Sequence, residues 1–448
     1  MTDPSGSTAY RYEPQSATHA GTMTPSAVVL RASRAKSAVA QPEATANPFN
    51  VLRAPVTSRP SSMQSKLLQP AATLRTFTPQ TLTVRTPSIA PLSRVRRNAV
   101  SPLLTPSADV YVSTSSYLPF GPLSSIAYGN GTVQTLARNG RYIPVENKLV
   151  SGAATLSDHV YTEDAVGNIT AISDALDSGY ARSFGYDDLN RLTAANSGAK
   201  LWGTATGNGY TYDAMGNLKS ATLGSVYAST FAYKAGATGS VGLPKLSSVV
   251  ENGTSRTVSY DAFGNETADG KATFTYSPRE LLGADSTQIA SYYYDGKRQR
   301  VSTTLKNGNS RDTFFDPQQH MLAETAQFTS ATTSPAITEE YVWFGDAPVA
   351  QIDGATTRWT YADHLGTPQI QTDLTGAVQW QAEYQPYGTI ETLRKNDVHQ
   401  MLRFPGQVSE QFDTGANGLT ERSFNNARWY GPNWGRYTQS DSSKPGPA

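Results

Sequence analysis

The chain has 448 residues, 37 Lys+Arg against 36 Asp+Glu, and a formal net charge of +1; hydrophobic residues are 38% and charged residues 16%. It has no cysteine, which excludes a disulfide framework, a thiolate metal site and a cysteine nucleophile. The balanced charge offers no basic excess for general nucleic-acid binding, and no run of about 18 apolar residues predicts a transmembrane helix.

The average hides a break near residue 108. Thirteen of the 27 prolines precede it, together with only two glycines, Gly6 and Gly21, and two tyrosines, Tyr10 and Tyr12. Between Glu43 and Asp109 there is no acidic residue, whereas Arg53, Arg59, Lys66, Arg75, Arg85, Arg94, Arg96 and Arg97 are present. A Pro/Ser/Thr/Ala-rich stretch poor in aromatics buries too little apolar surface to offset a chain entropy of ~1–2 kcal/mol per residue. Residues 1–108 are therefore expected to form a disordered basic tail, read as a solvated segment in preference to a tether for an anionic surface. Met1 to Gln15 is polar and shows no signal-peptide core.

A pattern then recurs over residues 109–357. Its clearest copy is Tyr210-Thr211-Tyr212-Asp213-Ala214-Met215-Gly216-Asn217, and other good copies place Asp164 with Gly167, Asp187 with Asn190, and Asp261 with Gly264. Weaker copies centre on Lys234, Ser277, Asp295 and Asp316. A spacing near 20 residues marks a repeat architecture. Tyr-x-Tyr puts both rings on one face of a strand. Asp then opens a type I turn, and the glycine three residues on supplies the left-handed conformation that closes a hairpin loop. Asn139-Gly140, Asn208-Gly209, Asn252-Gly253, Asp269-Gly270, Asn307-Gly308 and Asp353-Gly354 read as further hairpin turns. Buried tyrosine hydroxyls need partners, and the repeat's own Asp and Asn side chains are the expected ones.

Residues 358–441 read differently. Asp363-His364-Leu365-Gly366 is followed by Tyr384-Gln385-Pro386-Tyr387-Gly388, by Phe404-Pro405-Gly406, by Arg428-Trp429-Tyr430, and by Gly435-Arg436 ahead of Asp441. Residues 442–448 form a short tail.

The repeats resemble the YD repeat of the RHS (rearrangement hotspot) family, to which the YD shell of teneurins also belongs. Residues 358–441 resemble the RHS repeat-associated core domain, motif by motif and in order. The resemblance implies an all-β fold, a spiral of antiparallel β-hairpins forming part of a hollow shell or barrel that the core domain closes at one end. It implies a bacterial, secreted or surface-displayed protein whose partners are a toxin cargo, other shell chains and secretion machinery. No cofactor is implied.

In self-cleaving members of that family two carboxylates act in the core domain, one in an Arg-Tyr-Tyr-Asp-Pro motif and one opening an Asp-Pro-x-Gly-Leu or similar motif shortly after Gly-Arg. An acid pair of this kind needs two neighbouring carboxyls with separated proton affinities. Here the first slot is Gly431, and Asp441 is the one retained candidate. With the chain ending at Ala448, no toxin segment is expected. The reading is a non-enzymatic shell protein, with a self-cleaving aspartyl protease and a glycan-binding adhesin as alternatives. Asp363 and His364 are adjacent along a strand direction and so do not form a dyad by sequence alone. The five histidines never fall at metal-ligand spacing.

Overall fold

The computed structural model describes residues 29–30, 110–119, 121–234, 245–329, 335–413, 419–425 and 427–439. The expected tail, apart from a two-residue strand Val29–Leu30 paired with Phe344 and Trp343, lies outside the described residues, and so does Asp441.

The fold is nearly all β. A 13-stranded sheet runs from Val112–Tyr117 to Thr254–Thr257, and its strands lie side by side in chain order. An 11-stranded sheet, which includes Val29–Leu30, runs in the same manner from Ile289–Tyr294 to Ile390–Asn396. Two small hairpins connect them, Ser259–Tyr260 with Glu266–Ala268 and Phe274–Tyr276 with Leu282–Asp285. The strands Val408–Asp413, Leu419–Asn425, Arg428–Gly431 and Arg436–Tyr437 form a final four-stranded sheet. Neighbouring strands are antiparallel, and most are joined by connections too short for a crossover.

Local sequence explains the strands. In Tyr227–Tyr233, Tyr227, Ser229 and Phe231 point inward while the residues between them face solvent. The strand Ile337–Phe344 is buried on both faces from Glu340 onward, and its side chains there divide between two cores. Tyr341 and Trp343 join Phe274, Tyr292, Leu402, Phe424 and Trp429, while Val342 and Phe344 join Tyr111, Ile126, Tyr128, Trp359 and Tyr361. The second core ties the start of the first sheet to the second sheet. A third gathers Trp202, Tyr210, Phe231, Leu246 and Val258 around Trp434 from the C-terminal segment.

The boundary expected at residue 358 falls inside the strand Thr356–Ala362, which pairs with Ala347–Asp353 before it and Pro368–Thr372 after it. Residues 358–396 thus extend the hairpin ribbon of the second sheet. One expected turn is replaced by a different structure. Asn208-Gly209 is not a hairpin turn: Gly209 opens a strand so close to Thr193 that a Cβ there would stand 2.0 Å from its carbonyl oxygen. Glycine is needed at that position for close approach of two backbones.

Candidate functional site

The repeat turn is the unit from which the wall is built. At Asp213 the backbone N–H donates to Asn217 O at 2.9 Å, and Gly216 N–H returns to Asp213 O at 3.0 Å. Gly216 has φ +82, the left-handed conformation of a hairpin with a glycine bulge. The Asp213 carboxylate then caps the loop, accepting from the N–H groups of Met215 and Asn217 and from the Asn217 amide. The same arrangement stands at Asp164 with Gly167, at Asp261 with Gly264, and at Asp187 with Asn190 in the left-handed position. At Asp295 the left-handed residue is Arg298.

Asp363-His364-Leu365-Gly366 is this turn again. Asp363 N–H donates to Thr367 O, Gly366 N–H donates to Asp363 O, and the Asp363 carboxylate accepts from Leu365 and Thr367. Leu365 is exposed at the tip, and the His364 ring stands edge-on to Tyr161 with centroids 5.2 Å apart. The same backbone loop stands at the expected turns of Asn139-Gly140 and Asn307-Gly308, as Asn139–Ile143 and Leu305–Asn309, and at Gln385–Thr389 and Arg403–Gln407, which sequence reading missed. Its surviving signal there is a residue in the left-handed conformation at the fourth position.

The repeat tyrosines bond differently from expectation. Five of them bond main-chain carbonyls, not Asp or Asn side chains. Tyr186 donates to Ile169 O, Tyr212 to Leu192 O, Tyr233 to Leu218 O, Tyr276 to Glu266 O and Tyr384 to Pro368 O, at 2.7 to 2.9 Å. Each acceptor follows the preceding turn. The Asp and Asn side chains are already used within their own loops, so the ring reaches back to the preceding hairpin.

The remaining core-domain residues hold the seam between C-terminal segment and repeats. The Tyr387 ring stands edge-on to Tyr210 at 5.0 Å, and its hydroxyl meets that of Tyr212 at 3.0 Å. Tyr430 donates to Tyr387 O. Gly435, at φ +58, lies against the Tyr387 ring, where a Cβ would come within 3.0 Å of it. Gly388 and Gly406 pack in the same way beneath Phe404 and Trp343. Arg428 covers the Tyr437 ring at 4.0 Å.

Beside this seam His159, Tyr161, Arg182, Asp363, His364 and Tyr384 line a cavity of about 240 Å³. Below it, buried His159, Asp174 and Glu383 come together with ligand atoms within 4.8 Å of one another. Arg394 binds both carboxylates, at 3.0 Å to Asp174 and 3.1 Å to Glu383, and Arg182 holds the other Glu383 oxygen at 2.6 Å. The second Asp174 oxygen accepts from the N–H groups of Leu176 and Asp177. Every carboxylate oxygen is engaged and two guanidiniums balance the charge, so the cluster is an ion-pair network in place of a metal centre. Burial lowers the proton affinity of His159, more than offsetting nearby Glu383.

Gly431 lies in an extended conformation, φ −98 and ψ 99, ahead of the 3-10 turn Pro432–Trp434. Of the carboxyls near it, Asp269 shares the Arg422 guanidinium with Glu266, each at 2.8 Å, and Glu421 accepts from Arg403 at 3.0 Å and from Ser409 at 2.8 Å. Burial raises the proton affinity of Glu266 beyond what Arg422 lowers it. At Asp269, burial is outweighed by Arg422 and by the N–H groups of Ala272 and Lys271, which hold its proton affinity down. Both acids serve to anchor Arg422, whose face covers Phe274 at 4.1 Å.

An antiparallel hairpin ribbon, locked from hairpin to hairpin by tyrosine and closed by an aromatic C-terminal segment, defines a β-shell protein. Residues 126–445 match the Teneurin YD-shell family, and the chain belongs to that family. It is 27% identical over 224 residues to "Double-stranded DNA deaminase toxin A" of Burkholderia cenocepacia, covering 41% of this chain and 15% of that protein. It is 31% identical over 132 residues to "tRNA3(Ser)-specific nuclease WapA" of Bacillus spizizenii, covering 28% of this chain and 5% of that protein. The fold is shared with the Photorhabdus luminescens Tc holotoxin pore at a TM-score of 0.55 and 18% identity, over 75% of this chain and 18% of that one. It is shared with TcdB2–TccC3 lacking its hypervariable C-terminal region at 0.53 and 16%, over 75% of this chain and 18% of that one. The chain thus spans less than a fifth of these relatives.

Proposed function

We propose that this chain is a non-enzymatic wall segment of an exported bacterial toxin-delivery shell, whose partners are a toxin cargo and further shell chains. The observation that carries this reading is the hairpin ribbon: two large antiparallel sheets of strands laid down in chain order, joined by two small hairpins, with tyrosine bonds such as Tyr212 to Leu192 O and Tyr276 to Glu266 O tying one hairpin to another. A wall in which most strands are paired on both sides leaves few hydrogen-bonding edges open to aggregation. The non-enzymatic part rests on Gly431, which puts no carboxyl in the first slot of the acid pair, and on the engagement of Glu266 and Asp269 by Arg422. The repeat tyrosines are committed to cores and carbonyls, which disfavours a sugar-binding role.

The experiment is intact-mass analysis of purified protein and of Asp441→Asn. The reading expects one species near 48.1 kDa for the parent, stable on storage, with the variant shifted only by the substitution. A truncated species ending near residue 441 that disappears in Asp441→Asn would establish self-cleavage. For containment, a protease-sensitive reporter fused after Ala448 and co-expressed with a longer shell chain should resist protease. Cleavage at the rate of the free reporter would refute containment.

A further inference from the structure

We propose that the larger cavity, the one beside the seam, binds a small uncharged aromatic molecule of about the size of indole. The inference stands apart from the shell reading. The walls come from three consecutive strands of the first sheet, Ile169–Asp174, Arg182–Tyr186 and Leu192–Ser197, and from the loops at Asp363 and Gln385 in the second. At about 240 Å³ the space exceeds the roughly 150 Å³ that holds benzene in a protein core, so a bicyclic ring is the corresponding occupant.

The cavity is a gap between two cores. On one side Tyr128, Leu149 and Tyr361 pack together, and on the other Ala195, Trp202 and Tyr210. In strand order Ile169, Ile172 and Phe184 fall between Leu149 and Ala195. Ile169, Ile172, Phe184, Leu192 and Phe404 all line the cavity, and all five are only half-buried. Phe184 and Leu192 touch the core around Trp202 from its margin, while Ile169 and Ile172 join none of the four cores. Five large apolar side chains left partly uncovered at one place form a surface that a ligand takes out of water. Rings of Tyr161, Tyr186, Tyr384 and His364 complete the lining and favour an aromatic partner. Leu365 lines the same space and is 48% exposed, which puts the mouth beside the turn tip.

The charged groups at the cavity are already matched, which selects an uncharged ligand. Arg182 is held by Glu383 at 2.6 Å, and the Asp363 carboxylate accepts from the N–H groups of Leu365 and Thr367. The Tyr186 and Tyr384 hydroxyls are committed to the carbonyls of Ile169 and Pro368. Burial lowers the proton affinity of both His159 and His364, so neither ring adds a cation at neutral pH. An ion entering this space would lose its hydration and find no free counter-charge. Two lining residues keep a buried polar atom without a hydrogen-bond partner, His364 Nδ1 and Thr367 Oγ1, and these offer an acceptor to a ligand N–H.

The test uses the full chain with indole and, as its charged counterpart, indole-3-acetate. Isothermal titration should give one indole site with a Kd of about 0.1 mM. Indole-3-acetate should bind about tenfold more weakly or not at all. At about 2 mM indole the protein should melt about 3 °C higher. Ile172→Trp, which fills the space with a ring of the chain's own, should abolish both the heat and the shift; Leu192→Trp replaces it if that variant fails to fold. Crystals soaked in 5-bromoindole should show an anomalous bromine peak among Ile172, Phe184 and Phe404, a readout that needs no variant. Absence of indole binding, unchanged binding in a folded tryptophan variant, indole-3-acetate binding as tightly as indole, or a bromine peak only elsewhere would each overturn the proposal.

Discussion

The Tyr212 hydroxyl donates to the Leu192 carbonyl at 2.8 Å, and Leu192 opens the return strand of the hairpin before it. The second aromatic residue of a repeat thus fastens its own hairpin to the previous one, at the first residue after the turn. The relation recurs at Tyr186, Tyr233, Tyr276 and Tyr384, on both sides of the boundary between repeats and C-terminal segment. It accounts for the chain's preference for Tyr over Phe, since Phe fills the same core volume but leaves the carbonyl short of a donor.

Removing the hydroxyl should therefore weaken the wall in proportion to burial. Tyr384→Phe, at a buried position, is expected to cost about 1–1.5 kcal/mol, and Tyr186→Phe, where water can replace the donor, about 0.5 kcal/mol. Urea denaturation midpoints at constant slope check this. Equal losses at the two positions would show that the hydroxyls do not act through buried carbonyls.

Arg422 should be the most sensitive charged residue of the C-terminal segment. Arg422→Met leaves Glu266 and Asp269 buried without their shared cation, at an expected cost of about 3–5 kcal/mol. Adding Glu266→Gln and Asp269→Asn to that variant should recover part of the loss, because no charge is then stranded. Thermal melting of the single and triple variants measures it; a single variant as stable as the parent would refute the role.

The turn carboxylates should make stability acid-sensitive. The Arg191 guanidinium, with the Arg191 and Leu189 N–H groups, holds the Asp187 carboxyl below its ordinary 3.8. In acid the unfolded chain binds this proton first, so the stabilisation is complete above about pH 4 and is lost as pH falls through the lower folded value. The difference in urea midpoint between parent and Asp187→Asn is expected to be constant from pH 7 to 5 and to shrink below pH 4. A difference independent of pH down to 3 would contradict it. High salt should also narrow the gap, since the pair is half exposed.

Much of the wall was legible in the sequence because its unit is local. Five residues close the loop at Asp213, and all the bonds that define it lie within Asp213–Asn217, so Tyr-Asp-x-x-Gly-Asn reports a hairpin wherever it stands. The loops at Gln385 and Arg403 escaped because the backbone bonds and a left-handed fourth residue suffice; the aspartate only caps them. Asn208-Gly209 was misread because a dipeptide does not tell a glycine that turns the chain from one that admits a neighbouring strand.

What the sequence determined by itself was the class of fold: no cysteine, alternating aromatic strands and recurrent turns leave an antiparallel hairpin ribbon as the consistent outcome. Which hairpins face one another was decided only in three dimensions. Asn130 reaches Tyr361 and Thr372, Arg182 reaches Glu383, and Arg422 reaches Glu266 and Asp269, over separations of more than 150 residues. Such pairs carry no local signature, because a charge or amide in a strand looks the same whether it meets water or a partner from a distant hairpin. The curvature of the ribbon, accumulated over many strands, brings those partners together.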